Sequence, residues 1–332
     1  MSLVVPYNLA DLSLSTSFNT TLFRKALLNW YQRQRRDLPW RRDRDPYHVW
    51  LSEIMLQQTK VAAVVAHYER FLQRFPTVRK LAAARTPSVL AAWSGLGYYR
   101  RARMMHAGAK KIVKDYDCTF PPTAEGLREI PGIGRYTAAA IASIAFCEPV
   151  AVVDGNVERV LQRLAGQVLQ KENQWTQAQD LLATECPGDF NQAFMELGAT
   201  VCTPRQPKCM FCPVAEFCAT RGELPQAAKT LPQRKREIHY ALHRENGSVW
   251  LVQRAEYASL MPGMWELPEV SPSSGRLAFS VRHSITVTDY TVRVVEPEKL
   301  ECKKGRWVAK KRLSMMPLTG LAKKILRTAK VI

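Results

Sequence analysis

Ile130-Pro131-Gly132-Ile133-Gly134-Arg135-Tyr136-Thr137 joins two stretches of helical periodicity. Proline stops the first helix, and the glycines permit positive φ and close backbone approach. A new helix is expected to start at about Arg135. Its first N–H groups and its dipole favour an anion, so Gly132, Gly134 and Arg135 are candidates for holding a phosphate. A Gly-x-Gly pair also fits an ordinary helix–helix turn, so the surroundings must decide.

On both sides the pattern is helical. Leu22, Leu27, Leu28 and Tyr31 form one apolar stripe. Trp50–Gln58, Val61–Phe75, Tyr98–Val113, Arg135–Ala145, Gly155–Ala165 and Trp175–Ala183 read as further helices, with prolines between them. No long strand alternation precedes Lys229. Residues 221–235 are polar, with Pro225 and Pro232, and read as a linker. Beyond it, Ile238–His243 and Ser248–Gln253 flank Asn246-Gly247, a hairpin signal. Ser280–Val287 and Tyr290–Val295 read as a second hairpin, and Pro317–Arg327 as a closing helix. The reading is therefore an all-α region, 18–220, followed by a small α+β domain, 236–332, with a Ser-rich arm over 1–17.

The 332 residues carry 48 Lys and Arg against 29 acids, a net charge of +19. So basic a chain calls for a polyanionic partner, and nucleic acid is the default. In that company the hairpin reads as a helix-hairpin-helix, which grips a DNA phosphate without reading bases. No apolar run is long enough to cross a membrane, and the first residues do not resemble a signal peptide.

Four of the eight cysteines, Cys202, Cys209, Cys212 and Cys218, are spaced C-x6-C-x2-C-x5-C. Without a secretory signal, metal binding is preferred to disulfides. Four thiolates satisfy zinc or a 4Fe–4S cluster, and the spacing alone does not separate the two.

Two carboxylates suit base excision, which needs an acid for the leaving group and a negative charge beside the sugar. Glu53 lies in a helical pattern between Trp50 and Leu56. An apolar surrounding is expected to raise its pKa, as a general acid requires. A helix-surface glutamate is the plainer reading. Asp154 follows the apolar run Val150–Val153 and opens a helix. The plainer reading there is an N-cap, and a capping Asp can also face a site.

Together, the cysteine spacing, Ile130–Thr137 and Val153-Asp154-Gly155-Asn156-Val157 resemble the helix-hairpin-helix DNA glycosylases of the endonuclease III type. Within them, Leu38-Pro39-Trp40-Arg41, Trp50–Thr59 and Gly95-Leu96-Gly97-Tyr98-Tyr99-Arg100 resemble the MutY adenine glycosylases. The resemblance implies a six-helix barrel over about 45–146 and a cluster module from 18–44 and 147–220. It implies a 4Fe–4S cluster, and a monovalent cation at the hairpin. Glu53 would protonate adenine, and Asp154 would stabilise the cationic sugar, supported by Tyr136 and Asn156. Trp40, Arg41, Leu56 and Gln192 would line the pocket for the flipped adenine. Gln58, Thr59, Leu96 and Tyr98 would wedge into the stack and contact the opposite base. Ordinary core or helix-end roles are the alternative for these four.

The endonuclease III type carries a Lys where Tyr136 stands. A phenol forms no Schiff base, so a monofunctional enzyme is expected. The second domain resembles the Nudix-like domain of MutY through Leu260–Pro268, without a glutamate-rich catalytic box. The family's Phe-Ser-His loop reads Ile285-Thr286-Val287 here, with Thr286 keeping the hydroxyl. The expected partner is double-stranded DNA with A:8-oxoguanine or A:G mispairs, bound by a monomer, in the cytoplasm at the nucleoid if the source is bacterial. Two other readings remain: a same-fold glycosylase for another base, such as thymine opposite guanine, and a non-catalytic iron–sulfur DNA-binding protein.

Overall fold

The computed structural model describes residues 18–224, 234–285, 288–297 and 305–332. The arm 1–17, most of the linker, Cys302, Thr286 and Val287 lie outside the described residues. The helices are α1 (Thr20–Gln34), α2 (Pro46–Leu56), α3 (Val61–Arg74), α4 (Val78–Ala83), α5 (Thr86–Trp93), α6 (Arg100–Asp115), α7 (Ala124–Arg128), α8 (Arg135–Phe146), α9 (Gly155–Ala165), α10 (Lys171–Leu181), α11 (Pro187–Thr200) and α12 (Gly320–Thr328). The strands are β1 (Arg234–Ala241), β2 (Arg244–Glu245), β3 (Ser248–Gln253), β4 (Trp265–Glu266), β5 (Glu269–Val270), β6 (Arg276–Ile285), β7 (Thr288–Glu296) and β8 (Arg306–Ala309). The expected order of an all-α region and then an α+β region is found. Among the described residues no helix is long and apolar enough to cross a membrane.

The chain divides into two compact units that are not contiguous in sequence. One draws on Met1–Trp50, Pro121–Glu129 and Ile133–Ala227. Its core is built by α1, α9 and α11. Phe23, Leu27 and Tyr31 recur every fourth residue on α1 and are fully buried, as are Phe190, Phe194 and Leu197 on α11. Each such side chain stabilises the fold by about 1.5–3 kcal/mol. Of the stripe expected on α1, Leu27 and Tyr31 are core and Leu28 packs against it, while Leu22 is 54% exposed and Phe23 takes its place. α11 is not apparent from periodicity, because it opens on Pro187-Gly188. Proline is tolerated in a first helical turn. Gly188 lets the helix approach α8, since a Cβ there would lie 2.7 Å from the Ser143 carbonyl oxygen.

The other unit draws on Leu51–Phe120, Ile130–Gly132 and Ala228–Ile332. In its helical part α4 and α5 pack on α6 around Leu81, Leu90, Trp93, Met105 and Ile112. Its strands form two sheets, β5-β1-β7-β6 and β2-β3-β4 with β8 on the other edge of β3. Tyr240, Leu251, Val292 and Val294 pack there with Leu321, Ile325 and Leu326 of α12.

The first expected hairpin is corrected. β1 pairs with β7 in parallel, Ile238 opposite Val292, and only the two-residue β2 pairs with β3 across Asn246-Gly247. Positive φ at Asn246 and Gly247 suits a tight hairpin turn. The chain bends between β1 and β2 because β1's apolar residues complete the β7 core. The second hairpin is present, as β6 and β7, with Val281 opposite Val292.

Candidate active site

Asp154 caps α9. Its Oδ1 accepts from the backbone N–H groups of Asn156 and Val157, at 2.9 and 2.8 Å, and its Oδ2 accepts from Asn156 Nδ2 at 2.8 Å. The approach to the cap is extended chain, and side chains supply its hydrogen bonds. Asn191, buried on α11, accepts from Val152 N–H and donates to the Val150 carbonyl. Asn156 is held in turn by Arg159, whose Nη2 donates to Asn156 Oδ1 at 2.8 Å and to the Gly198 carbonyl at 2.7 Å. Gly198 permits this contact between helices: a Cβ there would lie 2.6 Å from the Asn156 Cβ. Burial raises the Asp154 pKa, and the three hydrogen bonds and Arg159 offset this only in part. A carboxylate so held is a fixed cap and also a desolvated negative charge.

Around α11, the expected pocket residues have distinct placements. Trp40 is buried. Arg41 Nη2 donates to Glu196 Oε2 at 2.8 Å, and Arg36 forms a two-pronged bond to the same carboxylate at 2.6 and 2.7 Å. Burial works against the Glu196 charge, yet the two arginines hold its pKa at about 2. Arg41 is therefore fixed by Glu196, which sequence reasoning did not single out. Gln192 is half-buried on α11, and the Tyr136 hydroxyl donates to Met195 Sδ at 3.6 Å.

The hairpin follows its reading in part. Gly132 adopts φ +86°, and a Cβ there would lie 2.8 Å from Met104 Cβ. Gly134 does not need positive φ; at −91° it is the N-cap of α8 and supplies no side-chain cap. Arg135 is turned to α10, with its guanidinium bonded to Glu172 and 4.0 Å from the centre of the Trp175 ring. What the start of α8 offers an anion is thus its backbone N–H groups and helix dipole, without the Arg135 side chain.

Cys202, Cys209, Cys212 and Cys218 line one pocket with Arg163, Pro207 and Arg221. All four are free thiols. Arg163 Nη1 donates to Cys202 Sγ at 3.2 Å. Burial pushes the Cys212 thiol up to about 11, with the neighbouring cysteines adding to it, a cost that a bound cationic centre would offset. Among the described residues no group of three or more His, Cys, Asp or Glu is arranged to hold a single metal ion. Four cysteines lining one pocket, with an arginine bonded to one sulfur, are a donor set that fits a thiolate-held metal centre.

In the other unit, Glu53 sits on α2 and is only 6% exposed, with Trp50 fully buried on the same helix. The plainer reading of a surface glutamate is thereby corrected: helix α2 buries this face. Leu56 and Thr59 are half-buried, and Gln58 is exposed at φ +55°. Tyr98 is 49% exposed at φ +46°. Leu96, expected as a wedge, is 6% exposed, and the carbonyls of Leu96 and Gly97 both face one guanidinium.

The guanidinium is that of Arg101. Its Nη1 donates to the carbonyls of Ile54, Met55 and Gln57, and its Nη2 to Thr59 Oγ1, Leu96 O and Gly97 O. The guanidinium also lies over the Trp93 and Tyr98 rings, at 5.5 and 5.3 Å. Burial lowers its pKa to about 10, so it remains charged at neutral pH. One cation thus ties the end of the Glu53 helix to the turns carrying Gln58 and Tyr98. A signal was present: Arg100 and Arg101 open α6, where a cation opposes the helix dipole and needs another reason. Arg101→Met is expected to raise backbone amide exchange over 54–59 and 96–98 about tenfold, and Arg101→Lys, lacking the planar fork, to restore little of the protection. Exchange rates of the two variants check this.

The set of helices and hairpin defines a base-excision repair fold, and comparisons with known proteins agree. Residues 51–181 match the family described as HhH-GPD superfamily base excision DNA repair protein. The adenine DNA glycosylase of Homo sapiens is 49% identical over 221 residues, 62% of this chain and 40% of that protein. That of Mus musculus is 39% identical over 331 residues, 81% of this chain and 63% of that protein. That of Buchnera aphidicola subsp. Acyrthosiphon pisum is 36% identical over 249 residues, 71% of each. Among solved structures, a thermostable thymine-DNA glycosylase is 29% identical at a TM-score of 0.58, covering 61% of this chain and 96% of that one. A trapped endonuclease III–DNA covalent intermediate shares the fold at 21% identity and a TM-score of 0.53, over 61% of this chain and 97% of that one. The chain belongs to the adenine DNA glycosylase family. It spans 40–63% of the length of the three mammalian relatives it matches.

Proposed function

We propose that this protein hydrolyses the N-glycosidic bond of adenine mispaired with 8-oxoguanine or guanine in double-stranded DNA. The observation that carries the reading is Asp154, held by three hydrogen bonds at the mouth of α9 and partly desolvated. Its role is to stabilise the positive charge that develops on the sugar as the base departs. Glu53, with the burial its role requires, protonates the adenine ring. Asn156 orients Asp154. Tyr136 supports the sugar site without forming a Schiff base. To Trp40, Leu56 and Gln192 we assign recognition of the flipped base, and Arg41 is fixed by Glu196.

The hairpin at Gly132–Arg135 holds a backbone phosphate, alone or with a monovalent cation. Gln58, Thr59 and Tyr98 enter the stack. The C-terminal domain reads the opposite base, a role assigned to Thr286 in the sequence between β6 and β7. Cys202, Cys209, Cys212 and Cys218 would hold a 4Fe–4S cluster, which when bound braces the loop bearing Arg205 and Lys208.

The product tests the proposal. A duplex with adenine opposite guanine is expected to be left with an intact strand and an abasic site, cut only after alkali. Borohydride is expected to trap no covalent complex. Strand cleavage without alkali, together with a trapped adduct, would contradict the roles given to Asp154 and Tyr136.

A further inference from the structure

The turn between α5 and α6 is strained at Tyr98, which adopts φ +46°. Gly95 and Gly97 beside it, at +112° and +72°, take positive φ without a Cβ to clash. Such a conformation persists only where its surroundings over-determine it. Arg101 holds the inner side, through the Leu96 and Gly97 carbonyls.

The opposite side is held by the C-terminal domain. Ser94 Oγ donates to the Leu318 carbonyl at 2.7 Å, and the Tyr99 hydroxyl donates to the same oxygen at 3.1 Å. Lys323 Nζ returns a bond to the Ser94 carbonyl at 2.9 Å. Ser94 and Tyr99 flank the turn on either side, and both are buried. Leu318 is placed by β4: Trp265 N–H donates to the Pro317 carbonyl at 2.8 Å, and Thr319 N–H to the Trp265 carbonyl at 3.0 Å. Thr319 then caps α12, accepting from Ala322 N–H, which sets Lys323 in the helix's first turn. A second attachment lies nearby, where Arg103 Nη2 donates to the Pro262 carbonyl at 2.6 Å. Gly263 leaves room for it, since a Cβ there would come within 3.1 Å of that nitrogen.

Mere domain packing would bury apolar surface and leave the turn's own backbone alone. Here polar bonds of both directions converge on the two residues that bracket the strained segment. We propose that the C-terminal domain is a latch on the Gly95–Tyr98 turn, with Ser94, Tyr99 and Lys323 as positioning residues that preset the turn for entry into DNA. The inference rests on the proposed activity for its consequence, though not for its geometry. Beyond reading the opposite base, the C-terminal domain thereby shapes the element that wedges beside the target base.

Backbone amide exchange in the full chain tests the latch without reference to catalysis. The Ser94→Ala/Tyr99→Phe double variant removes both donors to Leu318, and Lys323→Met removes the bond to Ser94. Exchange over 94–99 is expected to rise about tenfold in the first and about threefold in the second, with α9 unchanged. If the double variant does not fold, the Lys323 variant decides. Unchanged exchange over the turn, or an equal rise over α9, would overturn the latch. In the same variants, base release from an A:G duplex is expected to fall about tenfold with duplex affinity within about twofold. Full release from a variant with a loosened turn would overturn the positioning role. Absence of release from the wild-type protein would sink the proposed activity and leave amide exchange to judge the latch.

Discussion

Asp154→Asn is expected to lower single-turnover base release on the order of 1000-fold and to leave binding of mispaired duplex nearly unchanged. Asparagine keeps an oxygen for the N–H groups of Asn156 and Val157, so the α9 cap survives. What disappears is the charge, together with the bond that Oδ2 accepts from Asn156 Nδ2. The burial that raises the Asp154 pKa also sets the sign of the pH dependence. Catalysis needs the ionised form, so activity falls as pH drops through a value above the usual Asp range. Asn156→Ala removes one of the bonds that favour ionisation, and its acid limb is expected to lie at still higher pH. Stability runs the other way. A carboxyl whose pKa is raised by folding makes its ionised form a cost to the native state. Asp154→Asn is therefore expected to unfold no more easily than the wild type at neutral pH. A thermal melt beside the rate measurement distinguishes this from a damaged fold.

Glu196→Gln is expected to destabilise the protein by about 3 kcal/mol at pH 7. The side chain is 1% exposed and accepts from both Arg36 and Arg41. Its pKa is held at about 2, below the ordinary 4.5. The sign follows from that depression: the stabilisation is fully present above about pH 5 and is lost as pH falls towards 2. The gap between wild type and variant, read from urea unfolding, should shrink over that range. A neutral amide also leaves Arg41 without its charged anchor beside Trp40. Base release is expected to weaken in proportion to the loosened pocket.

The features legible from sequence were those that local chemistry fixes. The start of α9 could be read from an Asp followed by Gly-Asn and an apolar periodic run, and the helix falls on the expected residues. The switch from helices to strands followed from a change of period. What was hidden depends on contacts distant in sequence. On α1 Phe23 takes the place expected of Leu22, where it meets Phe190, Phe194 and Phe217. α11 hides behind Pro187-Gly188, although it supplies Asn191 and Glu196. β1 pairs in parallel with β7, Ile238 opposite Val292, a partner distant in sequence, and not with its expected hairpin neighbour. Leu96 is buried in a turn whose carbonyls accept from Arg101, contacts that the local Gly-x-Gly pattern does not announce. Glu196 and Arg101 carry no motif, and each acts only through the groups that the fold gathers around it.

Single-turnover base release by the full-length protein tests the central claim most directly. One labelled strand would carry adenine opposite 8-oxoguanine, guanine or thymine, and a companion duplex would carry thymine opposite guanine. The proposed function predicts alkali-revealed cleavage at adenine opposite 8-oxoguanine and opposite guanine. It predicts little cleavage at adenine opposite thymine and none at thymine opposite guanine. Release of thymine, or no release of adenine from any pair, would contradict it.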